Sequence, residues 1–301
     1  LAHRTYLPAP DMIAAMREAA LPLYALETYR PVAAFDVLGI STAYEQLYTN
    51  ALELMDLAGL PVRSADRDAS HPLVIGGGHG TFNPEPITDF FDVFVIGEAE
   101  EVIVELTNVM RTHRERSRTD QLRALAQVPG LYVPRFYRAR YDDRGHLIAT
   151  EPTESDIPAR VVKRIAPTLP PTPRKPLVPN TEVVHNRAVV EIQRGCTRGC
   201  RFCQAGTITR PVRERPVEEV VDAAEAILDN TGYEELALLS LSSADYSQIE
   251  RLLDELLARF EGRHVSISLP SLRIDAFSVD LAEKLSRRGR RPGFTFAPEA
   301  G

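Results

Sequence analysis

The apolar positions fall into two alternating series separated by a proline-rich stretch. In the first series, residues 35–40 (FDVLGI), 73–76 (LVIG) and 92–97 (DVFVIG) are short apolar runs bounded by Gly, Pro and charged residues. Their length and flanks predict buried parallel strands. Between them Leu47, Ala51, Leu54, Met55 and Ala58 recur at helical spacing, and Gly59-Leu60-Pro61 stops the pattern. A further helix is predicted over 98–110, where Glu98, Glu100 and Glu101 suit the positive end of a helix dipole. Strands alternating with helices predict a parallel sheet covered on both faces.

The middle changes character. Residues 131–141 and 146–150 flank Asp142-Asp143-Arg144-Gly145, a turn signal, and predict a hairpin. Pro158, Pro167, Pro170, Pro171, Pro173, Pro176 and Pro179 then predict an extended connector. The second series begins with a strand at 188–193. A helix at 216–230 carries Val217, Val220, Val221, Ala224, Ile227 and Leu228 on one face. Strands at 236–241, 265–269 and 293–297 alternate with helices at 247–260 and 278–288. The chain is therefore α/β throughout. It divides into a Rossmann-like parallel-sheet domain at 1–130, a hairpin and connector at 131–187, and a second α/β domain at 188–301.

Composition narrows the class. With 301 residues, 44% hydrophobic and 26% charged, the chain suits two globular domains at about 150 residues each. No apolar run approaches the roughly 18–20 residues of a membrane span. Residues 1–10 hold no apolar secretory core, so a cytoplasmic location is expected. A net charge of −7 gives no nucleic-acid signal. Three cysteines are too few for a disulfide scaffold.

All three cysteines lie in Arg194-Gly195-Cys196-Thr197-Arg198-Gly199-Cys200-Arg201-Phe202-Cys203. The C-x3-C-x2-C spacing places three thiols on one loop around a single centre. A four-iron cluster takes thiolates, one per iron, so three cysteines leave one iron open to a small molecule. Gly195 and Gly199 allow a tight loop, and Arg194, Arg198 and Arg201 bring positive charge beside an anionic cluster. A structural zinc would need a fourth ligand, and no further Cys or His lies nearby in sequence. A disulfide with a spare thiol conflicts with a chain that shows no export signal. Arg210, Arg213 and Arg215 follow the loop and read as solvated charges, with an anionic substrate or a reductase as the alternative partner.

This cysteine motif, with Phe202 before its third member, resembles the signature of the radical S-adenosylmethionine (SAM) superfamily. The resemblance implies a four-iron–four-sulfur (4Fe-4S) cluster on Cys196, Cys200 and Cys203, with SAM chelated to the open iron. An electron donor such as flavodoxin or ferredoxin would drive SAM cleavage to a 5′-deoxyadenosyl radical. It also implies a partial (β/α) barrel with the cofactor at the C-terminal strand ends. There Phe202, Ser242, Ser243, Arg273 and Glu299 are the implied SAM contacts. Ser242-Ser243 departs from the Gly-Gly-Glu-like segment usual in the family. The implied barrel is incomplete, because four strands fit between 188 and 301; the chain reads as a fragment with an unpaired edge where a fifth strand belongs.

In the first domain, Gly76-Gly77-Gly78-His79-Gly80-Thr81, then Pro84-Glu85, then Gly97-Glu98-Ala99-Glu100, resemble the cobalamin-binding-type domain that precedes many radical SAM cores. The resemblance implies cofactor contacts at Gly76, Gly77, Gly78, His79, Thr81, Gly97 and Glu98, with cobalamin as a second candidate cofactor. Ala99 departs from the pattern, and no Asp-x-His-x-x-Gly segment supplies an axial ligand. With cobalamin, methyl transfer to an unreactive carbon is implied; without it, another radical modification. The rival readings are an RNA-modifying methylthiotransferase, which would need cysteines for a second cluster, and a non-catalytic iron–sulfur electron-transfer or scaffold protein.

Overall fold

The computed structural model describes residues 2–276, 278–286 and 296–298. The chain forms two compact units, Leu1–Ala166 and Pro167–Gly301.

The first unit is built on strands β1 (Val37–Ser41), β2 (Leu73–Gly77), β3 (Val93–Val95) and β4 (Leu131–Tyr132). They form one sheet in that order, with β1, β2 and β3 parallel and β4 antiparallel to β3. The helices are α1 (Pro10–Glu18), α2 (Tyr48–Leu57), α3 (Val102–Thr112) and α4 (Arg118–Ala126). Alternate strand positions feed two cores, as expected for a sheet covered on both sides. Leu38, Ile40, Val74 and Phe94 pack with Met55 of α2. Leu73, Ile75, Val93 and Val95 pack with Leu106 of α3 and Leu122 and Leu125 of α4. Full burial of each such aliphatic side chain contributes about 1.5–3 kcal/mol. A charge sits inside this packing. Asp92 Oδ2 accepts from Arg67 Nε at 3.2 Å, Arg118 Nη2 at 2.8 Å and the Val74 amide at 2.8 Å.

Two expectations shift here. The hairpin is confined to β5 (Tyr137–Tyr141) and β6 (Leu147–Pro152). Leu131 and Tyr132 instead extend the sheet, because both are apolar enough to be buried against its cores. The helix expected from Glu98 starts four residues later, at Val102. The Glu98 amide and carboxylate are already engaged, donating to Arg164 O at 3.0 Å and accepting from the Ala166 amide at 2.7 Å. The segment after the hairpin thus straps back onto the first unit, and its Ile157 is buried in the core.

In the second unit the chain runs β7 (Ala188–Glu191), β8 (Gln193–Arg194), α5 (Gln204–Ile208), β9 (Arg213–Glu214), α6 (Val217–Thr231) and β10 (Glu235–Leu239). It continues through α7 (Ile249–Arg259), β11 (Ser266–Ser268), β12 (Leu272–Arg273), α8 (Val279–Ser286) and β13 (Phe296–Ala297). β7, β10 and β11 form a parallel sheet with β10 in the centre, and β12 pairs in parallel with β13. α6 presents its predicted apolar face to Val190, Ile192, Leu236 and Leu238. Gly232, with φ +72°, closes the helix in the left-handed region. Helices cover one sheet face, whereas Val189 and Leu239 on the other remain 42% and 46% exposed. That asymmetry is the inner and outer wall of a partial barrel.

Candidate functional site

The cysteine loop leaves the C-terminal end of the β7–β8 segment and ends at α5. Gly195 makes its first turn, with φ +87°; a Cβ there would stand 2.8 Å from Pro211 O and 2.9 Å from Thr209 O. Only glycine allows this approach. Gly199 is different: its φ is ordinary and a Cβ would meet the Arg210 guanidinium at 3.8 Å, so the second glycine is not forced by the turn.

The three cysteines form no disulfide and are half-buried. Cys203 caps α5, its Sγ accepting from the Gly206 amide at 3.3 Å, and Cys196 Sγ accepts from the Arg198 amide at 3.4 Å. A Cβ on Gly206 would touch Cys203 Sγ at 3.5 Å and Cys196 Cβ at 3.8 Å, so this glycine lies between the two side chains. Among the described residues no three His, Cys, Asp or Glu side chains converge on one ion. Thiolates that each take a different iron need no such convergence, and amides donating to sulfur suit an anionic cluster. The donor set fits a cluster better than a single zinc.

The other strand ends meet this loop. Arg198, between the first two cysteines, donates from Nε to Asp245 Oδ2 at 3.1 Å and from Nη2 to Oδ1. Asp245 lies beyond β10, and Ser242 Oγ donates to its Oδ2 at 2.8 Å. The Arg198 guanidinium holds the Asp245 carboxyl below the ordinary carboxylate range, against an opposing effect of burial. Ser243 donates its amide to Ser271 O at 2.9 Å, tying the end of β10 to the segment before β12. Ser243 Oγ donates to Leu238 O at 3.0 Å and is fully buried. Arg273 pairs with Asp275, its Nε 3.0 Å from Oδ1.

The residues expected around the cofactor therefore separate. Cys196, Cys200, Cys203, Ser242, Ser243 and Arg273 lie at strand ends of the second unit. Ser242 and Ser243 both spend their hydroxyls on internal partners. Phe202 is 67% exposed. Glu299 lies outside the described residues. Arg194 pairs with Glu191 at 2.9 Å. Arg215, expected as a solvated charge, is buried: Nε donates to Glu191 O at 3.0 Å and Nη2 to Pro170 O at 2.8 Å. Carbonyls at the end of β7 and in the connector hold it inside. Asp245 and Tyr246 were not singled out from sequence, although an acid three residues beyond Ser242 was a usable signal. The Tyr246 hydroxyl donates to Arg215 O at 2.7 Å, and burial pushes its phenol up to about 12.

In the first unit the glycine loop after β2 is packed on its own domain. Cβ atoms at Gly78 and Gly80 would each stand 2.8 Å from Thr42 O, and one at Gly76 would meet the Phe94 ring at 2.8 Å. Thr81 Oγ1 lies 2.7 Å from Gly78 O and 2.8 Å from Val95 O and is buried. A Cβ at Gly97 would collide with Arg164 O at 2.2 Å. Gly77 has open space beside it, and Gly78 and His79 are exposed, so these are the loop positions open to a flat ring.

A family model for the N-terminal region of radical SAM proteins matches residues 1–134, and one for the radical SAM superfamily matches residues 190–298. The chain is 28% identical over 289 residues to an uncharacterized protein of Methanocaldococcus jannaschii, covering 95% of this chain and 54% of that one. It is 32% identical over 108 residues to the threonylcarbamoyladenosine tRNA methylthiotransferase MtaB of Bacillus subtilis, covering 34% of this chain and 23% of that protein. Among solved structures it resembles the radical SAM methyltransferase TsrM of Kitasatospora setae with cobalamin and a 4Fe-4S cluster bound. That likeness has a TM-score of 0.51 and 17% identity, covering 93% of this chain and 50% of TsrM. TsrM with tryptophan substrate and the SAM analogue aza-SAM matches with the same TM-score at 15% identity. The chain thus spans about half the length of TsrM and of the archaeal relative.

Proposed function

Because the chain belongs to the radical SAM superfamily, whose models match both of its units, we propose that it works as a radical SAM enzyme. Cys196, Cys200 and Cys203 would hold a 4Fe-4S cluster and leave one iron for SAM. The observation that carries this reading is the cysteine loop itself: three thiols outside any disulfide on one glycine-turned segment, two of them accepting amide hydrogen bonds, beyond the C-terminal end of the parallel strand β7. When bound, the cluster supplies the electron for reductive cleavage of SAM.

The protein's own residues supply position and shielding. Gly195 folds the loop back, the Arg198 and Gly206 amides stabilise negative charge on sulfur, and Ser243 joins the neighbouring strand ends. Cobalamin is the proposed second cofactor, supported by the likeness to TsrM and by the open positions at Gly77 and His79; methyl transfer is then the proposed outcome. The likeness to MtaB supports a second reading, methylthiolation of RNA. An electron donor of the flavodoxin or ferredoxin type and a cytoplasmic location belong to the same proposal. No helix among the described residues is long and apolar enough to cross a membrane.

The test is anaerobic reconstitution with iron, sulfide, SAM and a strong reductant, followed by chromatography for 5′-deoxyadenosine and S-adenosylhomocysteine. The reading predicts at least one of these products. No product above a Cys200→Ala control would refute it. Methylthiolated nucleosides in RNA incubated with the reconstituted protein would favour the second reading.

A further inference from the structure

Arg198 is held at three points that have no common need unless its place matters. Its amide donates to Cys196 Sγ at 3.4 Å, its carbonyl accepts from Arg210 Nη2 at 2.9 Å, and its guanidinium forks onto Asp245. Asp245 is itself fixed by Ser242 Oγ at 2.8 Å, and its amide donates to Ser242 O at 3.1 Å. Its side chain is 9% exposed, while that of Arg198 is 42% exposed. The Arg273–Asp275 pair lies close enough to contribute: Arg198 interacts electrostatically with Asp275, and Asp245 with Arg273.

An exposed ion pair alone would contribute little, roughly 0–1 kcal/mol. This pair differs in geometry and place. The fork is bidentate, which fixes orientation as well as distance. One partner lies inside the cysteine motif and the other on the neighbouring strand-end loop, 47 residues away in sequence. We infer that Arg198 and Asp245 form a positioning clasp for the cysteine loop, and that their opposed charges set the electrostatic field at the cluster. The inference rests on the cluster reading given above.

The physical consequence has a sign. Reduction adds negative charge to the cluster, so a nearby cation raises its potential and a nearby anion lowers it. Removing Arg198 leaves Asp245 uncompensated; removing Asp245 leaves Arg198 uncompensated. The two losses push the potential in opposite directions. Damage to the loop alone would move both variants the same way.

The experiment uses Arg198→Gln, Asp245→Asn, the double variant and Arg198→Lys. Each is reconstituted anaerobically, its iron is counted, and its cluster is titrated by paramagnetic resonance against a set of redox mediators. Arg198→Gln should shift to lower potential and Asp245→Asn to higher, with the double variant between them. Arg198→Lys should restore the potential, because the charge remains, but retain less iron, because the fork is gone. Single variants that keep their iron and shift together, or not at all, would overturn the clasp. Wild-type protein that takes up no cluster would instead overturn the cluster reading, and this inference with it.

Hydrogen exchange of the cluster-free chain covers the case in which a variant loses its iron. Amides in residues 196–203 should exchange several-fold faster in Asp245→Asn than in wild type. Unchanged exchange there would also overturn the clasp.

Discussion

The glycine loop after β2 and the cysteine loop after β7–β8 occupy the same kind of place, the C-terminal end of a parallel strand, yet they spend their residues differently. In the first, Gly76, Gly78, Gly80 and Thr81 are absorbed by the fold: three glycines admit Phe94 or the Thr42 carbonyl, and the threonine hydroxyl is buried on backbone. In the second, only Gly195 is consumed by the turn, and the three cysteines stay outside any disulfide and half-buried. A glycine-rich loop at a strand end can be a packing device, and its sequence alone does not separate packing from ligand contact. Three cysteines on one loop have no comparable packing use.

Changes to the two loops and their supports should break this comparison in a graded way. The largest effect is expected for Cys200→Ala, which should abolish cluster absorbance after reconstitution while leaving the far-ultraviolet circular dichroism unchanged. Next comes Asp92→Ala, beneath the glycine loop's sheet. It removes the counter-ion of the buried Arg67 and the half-buried Arg118, which keep backbone carbonyl partners, and should cost about 3–5 kcal/mol in urea unfolding of the first unit. A loss below about 1 kcal/mol would mean that water relieves those arginines.

Gly78→Ala and Gly77→Ala sharpen the comparison within the glycine loop. Gly78 has φ +107° and the Thr42 carbonyl in the way, so its replacement should cost about 1–3 kcal/mol. Gly77 has open space, and its replacement should change stability by under about 0.5 kcal/mol. If Gly77→Ala weakens cobalamin binding at unchanged stability, the loop serves a ligand as well as the fold. A modest loss is expected for Tyr246→Phe, about 1 kcal/mol at neutral pH for one buried hydrogen bond. Burial raises the folded phenol to about 12, so the hydroxyl's contribution is complete below the unfolded value of about 10 and is lost as pH rises through the folded one. The deficit of the variant should therefore shrink in alkaline urea titrations.

Much of this architecture was legible because apolar runs and their breakers are local signals. The strands at 37–41, 73–77 and 235–239 and the helices α2, α6 and α7 emerge from spacing, Gly and Pro. α4 was not legible: its burial rests on Leu122, Leu125 and Ala126 among polar neighbours, too few to mark a helical face. Nor were contacts between distant segments. Asp92 lies 25 and 26 residues from its two arginines, and Arg164 reaches Gly97 from far along the chain. At the site, the cysteines were evident from spacing, whereas the pairing of Arg198 with Asp245 was not, because nothing local ties an arginine in one loop to an acid in the next.

The most direct test of the account is the paramagnetic resonance spectrum of the reduced, reconstituted protein with and without SAM. The account predicts a 4Fe-4S signal whose g values shift when SAM is added and which is absent from Cys200→Ala. A signal unaltered by saturating SAM, or one that survives in Cys200→Ala, would contradict the claim that these three cysteines leave an iron open for SAM.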